Sequence, residues 1–181
     1  MTHIKKALLI IDVINHFQFE YGDKLLQHTE TIVQPLLLLK KRAKQHQIPV
    51  IYINDHYNLW QADFKKIIHY CRNDKNSKYI SAISPEEDDF FLIKPKHSAF
   101  YETALHTLLS SLKINSLILT GIAGNICVLF TANDAYMREY QLSCPKDCIA
   151  SADLQDNHYA LTMMSNVLKA DIKESSLLQF F

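Results

Sequence analysis

Glycine is scarce in this chain of 181 residues, with three in all, and tryptophan occurs once. No glycine-rich phosphate loop, dinucleotide fingerprint or Gly-x-Ser-x-Gly elbow is present, which removes support for nucleotide-dependent and serine-hydrolase chemistry. Charge of one sign is also missing: Lys plus Arg and Asp plus Glu stand at 19 each. Nucleic acid and anionic membrane are therefore disfavoured as partners, and a small-molecule substrate is expected. The early apolar run, Ala7 to Ile11, is broken by Asp12 and is too short to span a bilayer, so a cytoplasmic protein is expected. The cysteines, Cys71, Cys127, Cys144 and Cys148, form no disulfide framework, redox pair or zinc spacing, and are read as reduced thiols.

What the chain does have is enough apolar matter for a sizeable core, 48% by residue, at a length that suits a single domain over residues 1–181. Ala7 to Val13 is a continuous branched run, as in a strand buried on both faces. Further strands are expected at Val50 to Ile53, at Phe90 to Ile93, from Ser116 to Gly121, over Leu142 to Ile149, and from Ile172. Between them, helical spacing marks Thr29 to Gln47, the stretch around Trp60 to Cys71, Leu105 to Leu112, and His158 to Lys169. The segment Arg72 to Lys78 reads as a loop and Pro85 to Asp89 as an acidic turn. Strands alternating with helices, without repeats, argue for a three-layer α/β/α domain with a six-stranded, mainly parallel sheet. Ligands bind such sheets beyond the carboxyl ends of the strands.

Ser116 to Tyr140 carries the chemistry. An apolar strand runs through Gly121 and Gly124 into a helical pattern of Ile126, Phe130, Tyr136, Met137 and Tyr140, which puts Cys127 in a first turn. Unpaired N–H groups and the positive dipole end there favour a thiolate. Asp12 follows the first strand and Lys96 the third, so a carboxylate, an amine and a thiol are expected at one sheet edge. Together they would supply a base, a cation and a nucleophile for attack on a carbonyl or nitrile carbon.

The stretches LLIIDVINHF, IKPKHSAF and GIAGNICVLFTANDAY, in this order and at strand ends, resemble the isochorismatase-like cysteine hydrolases, which include nicotinamidases and N-carbamoylsarcosine amidohydrolases. The resemblance runs over nearly the whole chain and implies Asp12, Lys96 and Cys127 as the catalytic triad. It further implies a cis peptide between Ile122 and Ala123, with the backbone N–H groups of Ala123 and Cys127 as oxyanion donors. Attack by the thiolate would give an acyl-enzyme, with Asp12 relaying the proton to the leaving amine and then activating water. The chain departs from many relatives at Gly124 and Asn125, and at Glu102 after the SAF motif.

Three readings follow. The leading one is a cysteine-dependent hydrolase of a small amide or related C–N bond. The others are an isochorismatase-type ether hydrolase and a catalytically idle binding or assembly domain of the same fold. Phe17, Trp60 and Tyr101 are candidate pocket walls, with core or dimer packing as their alternative. No metal or other cofactor is expected, since the Asp-x-His element of nicotinamidases reads Asp55-His56-Tyr57 here. A homodimer or larger homo-oligomer is implied by the resemblance.

Overall fold

In the computed structural model, which describes residues 4–180, the apolar runs form one sheet of six strands. They are β1 (Lys6–Ile11), β2 (Val50–Asp55), β3 (Phe90–Lys94), β4 (Ser116–Ile122), β5 (Gln141–Ser143) and β6 (Ile149–Ala150). The order is β3-β2-β1-β4-β5, with β6 also paired to β4, and every pairing is parallel. All the strand ends that matter here therefore emerge at one edge.

Alternation along each strand builds two cores. Leu8, Ile10, Val50, Tyr52 and Ile118 point to one face, and Ala7, Leu9, Ile51, Ile53, Leu117 and Leu119 to the other. The first face is covered by α1 (Gly22–Gln45), α2 (Phe64–Cys71) and α3 (Ser77–Ile83). The second is covered by α4 (Leu105–Ser111), α5 (Leu129–Met137) and α6 (Leu154–Asn166). This is the expected three-layer α/β/α arrangement, and it explains why β1 reads as an unbroken apolar run.

Differences from the expected elements have local causes. The helix expected from Thr29 begins at Gly22, so Pro35 lies in its interior rather than in its opening turns. The expected strand over Leu142 to Ile149 is split, because Pro145 breaks the ladder and Lys146–Cys148 form a 3₁₀ turn. The sixth strand is β6, whereas near Ile172 the chain makes only an isolated bridge between Ser143 and Asp171. Helix α3 begins at Ser77, so it takes in the last two residues of the stretch read as a loop. Helix α6 starts four residues before His158, capped by Asp153, whose carboxylate accepts from the Gln155 and Asp156 amides.

A buried ion cluster fastens α1 to the entry of β3. Lys40 Nζ stands 2.6 Å from Asp89 and 3.2 Å from the Tyr52 hydroxyl, which in turn donates to the Ile83 carbonyl. These contacts fix the start of β3 and so the position of its far end.

Candidate active site

Two strands must approach closely for the site to form. Gly121, near the end of β4, has φ +111°, and a Cβ there would lie 2.1 Å from the Ile11 carbonyl oxygen. Only glycine fits that backbone beside β1. Just past Ile11 the chain turns at Asp12, with φ 53°, its amide donating to the Ile53 carbonyl at 3.0 Å. The Asp12 carboxylate is buried. Its Oδ1 accepts from the Asp55 amide at 2.9 Å and its Oδ2 lies 2.8 Å from Lys94 Nζ.

The lysine brought to this carboxylate is Lys94, not Lys96. Lys94 is the last residue of β3, in register with Asp55, and its side chain is 2% exposed. Lys96, beyond Pro95, is exposed, and it contributes its carbonyl oxygen, 3.0 Å from Lys94 Nζ. Asp12, Lys96 O and Cys127 Sγ, the last at 3.5 Å, accept the ammonium's three donors. The physical reason for the correction is position. A strand-terminal side chain facing the sheet edge reaches the neighbouring strand ends, whereas one beyond a proline turn reaches solvent.

Cys127 sits in a π-helical turn, Gly124–Val128, that leads into α5. The Ile122–Ala123 peptide bond before it is cis. The Ala123 carbonyl accepts from the amides of Ile126 and Val128, on either side of the cysteine. From outside, Ser151 Oγ accepts from the Asn125 amide at 3.1 Å and donates to Asn157 Oδ1 at 2.8 Å. Gly124 is packed so tightly against these groups that a Cβ would lie 2.3 Å from Asn157 Oδ1 and 2.7 Å from Ile149 Cγ2. The loop after β3 is tied to the same helix. Ser98 donates to the Asp134 carboxylate, and Thr131 Oγ1 accepts from the Ala99 amide while donating to the Cys127 carbonyl.

Burial pushes the Cys127 thiol's pKa well up, and the Asp12 carboxylate pushes it further, against the opposing pull of Lys94. Burial thus works against the thiolate that a helix start favours, and Lys94 works for it. Burial acts to lower the Lys94 pKa, but Asp12 and Cys127 outweigh it and hold the ammonium above the usual lysine value. The buried Asp12 carboxylate and Lys94 ammonium compensate each other, and removing either would leave an unpaired buried charge.

The other sequence candidates make contacts of their own. Phe17 is a core residue, packed edge-to-face on Tyr79 at 5.6 Å. Trp60 is exposed and stacked on His56 at 3.8 Å, and Tyr101 is exposed. Asp55 accepts from the Tyr57 amide and His56 from that of Asn58, so both are engaged in turns. Among the described residues, no three His, Cys, Asp or Glu side chains are grouped to hold a metal ion. No helix among them is long and apolar enough to cross a membrane. Sequence reasoning missed Lys94 and also His97, whose Nδ1 lies 4.0 Å from Cys127 Sγ and whose ring packs on Phe130.

Residues 6–172 match the model of the isochorismatase domain. The chain is 60% identical over 172 residues, 95% of both chains, to the uncharacterized isochorismatase family protein YaaI of Bacillus subtilis (strain 168). It resembles the crystal structure of N-carbamoylsarcosine amidase from Thermoplasma acidophilum, with 27% identity, TM-score 0.73 and coverage of 98% and 100% of the two chains. The fold is shared with the nicotinamidase of Staphylococcus aureus at 23% identity and TM-score 0.73, over 94% of this chain and 98% of that one. A strand-end carboxylate and lysine closing on a cysteine, inside a domain matched almost end to end, make this chain a member of the isochorismatase family of hydrolases.

Proposed function

We propose that the protein is a cysteine-dependent hydrolase that cleaves a small amide or related C–N bond through a thioester acyl-enzyme. One observation carries the reading. Lys94 Nζ stands 2.8 Å from Asp12 and 3.5 Å from Cys127, which joins a base, a cation and a nucleophile drawn from three strand ends. The amidase named among the structural relatives supports a C–N bond as the target.

Burial disfavours a free thiolate, so sulfur attacks as Asp12 takes its proton. Lys94, bound to both groups, holds them in line and offsets the negative charge that develops on sulfur. The carbonyl oxygen becomes an oxyanion, and the backbone N–H groups of Ala123 and Cys127 are its proposed donors. Collapse of this intermediate breaks the C–N bond and releases an amine, which needs one proton. Water then attacks the thioester, releasing the acid and restoring the thiol.

Four free cysteines support a reducing, cytoplasmic setting. Exposed Phe130 and Met137 on α5, Tyr159 and Met163 on the adjacent α6, and Val167 at its C-terminal cap support a homo-oligomer.

The test is a panel of small amides and carbamoyl compounds, with quenched samples digested and weighed. An acyl mass on the peptide holding Cys127 during turnover is expected. Turnover with that peptide never modified, even under single-turnover conditions with enzyme in excess, would exclude the acyl-enzyme.

A further inference from the structure

Three protonatable groups surround the Cys127 sulfur, and two of them lie on its buried side. Asp12 and Lys94 are each almost fully shielded and hydrogen-bonded to each other, and both Asp12 oxygens are held, one by Lys94 and one by the Asp55 amide. His97 is different. It is exposed, its ring lies on Phe130 with centroids 5.5 Å apart, and its Nδ1 faces the sulfur at 4.0 Å. Its place is fixed by neighbours on both sides: Lys96 O accepts from Lys94, and Ser98 is bonded to Asp134 of α5.

In the tetrahedral intermediate the leaving nitrogen hangs on the same carbon as Sγ. A ring nitrogen 4.0 Å from the sulfur is therefore within reach of a hydrogen bond of about 3 Å to that nitrogen. The leaving amine must also depart toward solvent, which is the side His97 occupies.

We infer that His97 is the general acid that protonates the leaving amine, with Asp12 serving only the thiol. This rests on the cysteine-hydrolase reading above. The steps balance. The thiol proton passes to Asp12 as the S–C bond forms. The C–N bond then breaks, its electron pair goes to nitrogen, and nitrogen takes the proton of His97. In deacylation, neutral His97 takes a proton from the attacking water, the C–S bond breaks, and sulfur recovers its proton from Asp12. The net reaction consumes one amide and one water and yields one acid and one amine.

Leaving-group dependence tests this. Wild type, His97→Gln and Cys127→Ala are compared on 4-nitrophenyl acetate and on the best amide of the panel, by single-turnover amine release and by the initial nitrophenolate burst. Nitrophenolate leaves without a proton, so the burst rate of His97→Gln should stay within a few-fold of wild type. Its amine release should fall roughly 100-fold or more, as expected for loss of a general acid. Equal losses with both substrates would show a merely structural role, and no loss with either would show no role; both overturn the inference. Turnover or a burst retained in Cys127→Ala would instead overturn the cysteine-hydrolase reading itself.

Discussion

Replacing Lys94 by Met separates the two lysines of the Lys94-Pro95-Lys96 segment by stability as well as by activity. The Lys94 side chain is 2% exposed and that of Asp12 8%, and the two meet at 2.8 Å. Removing one member of such a pair leaves a buried carboxylate with only the Asp55 amide as partner, at a cost of about 3–5 kcal/mol. For a chain of this length, about 2–4 °C of Tm per kcal/mol gives a fall of about 6–20 °C. Lys96→Met removes an exposed side chain while keeping the carbonyl that Lys94 uses, so its change should stay within about 0.5 kcal/mol. Urea unfolding of both variants, with turnover in parallel, measures the contrast. The pH sign follows from the raised Lys94 pKa. The stabilisation is fully present below the unfolded lysine value of about 10.4 and is lost as pH rises through the higher folded value. The difference from wild type should therefore hold steady between about pH 7 and pH 9, a range that stays more than about one unit below that value. Equal stability and activity of the two variants would refute the placement of Lys94.

Iodoacetamide should label Cys127 before Cys71, Cys144 and Cys148, which are fully buried and whose thiols are pushed up to about 12. Because burial raises the Cys127 thiol too, its labelling rate should still be climbing above pH 9, past an ordinary thiol's value of about 8.5, as read by peptide mass spectrometry. Gly124→Ala should destabilise by about 1–3 kcal/mol and lower turnover, since its Cβ would collide with Asn157 and Ile149; thermal unfolding and steady-state rates check this. Thr131→Val leaves the Ala99 amide without its acceptor and should cost about 1–3 kcal/mol with a lower kcat, measured by the same two assays.

The sheet was legible because strands buried on both faces leave long branched runs, as in ALLII and LIL. Asp12 was legible for the same reason, as the first polar residue after such a run. That rule, applied to Phe90 to Ile93, points to Lys94. The Lys-Pro-Lys spelling hid it, because two identical side chains flank a proline and only the strand's exact end distinguishes them. Residues that act through burial were harder to read. Helix α5 buries the small residues Ala132 and Ala135 and turns Phe130 and Met137 outward, so its largest apolar side chains do not mark its core face. The upward push on the Cys127 thiol comes first from a desolvation that no local pattern encodes. His97 meets the sulfur only through the fold, across 30 positions of sequence.

The most direct test of the central claim is the turnover of Cys127→Ala on every substrate that wild type hydrolyses, with circular dichroism to confirm that the variant is folded. The expected result is loss of hydrolysis on all of them with the fold intact. Hydrolysis retained by the folded variant would contradict a mechanism built on the thiol and would favour one that needs only Asp12 and Lys94.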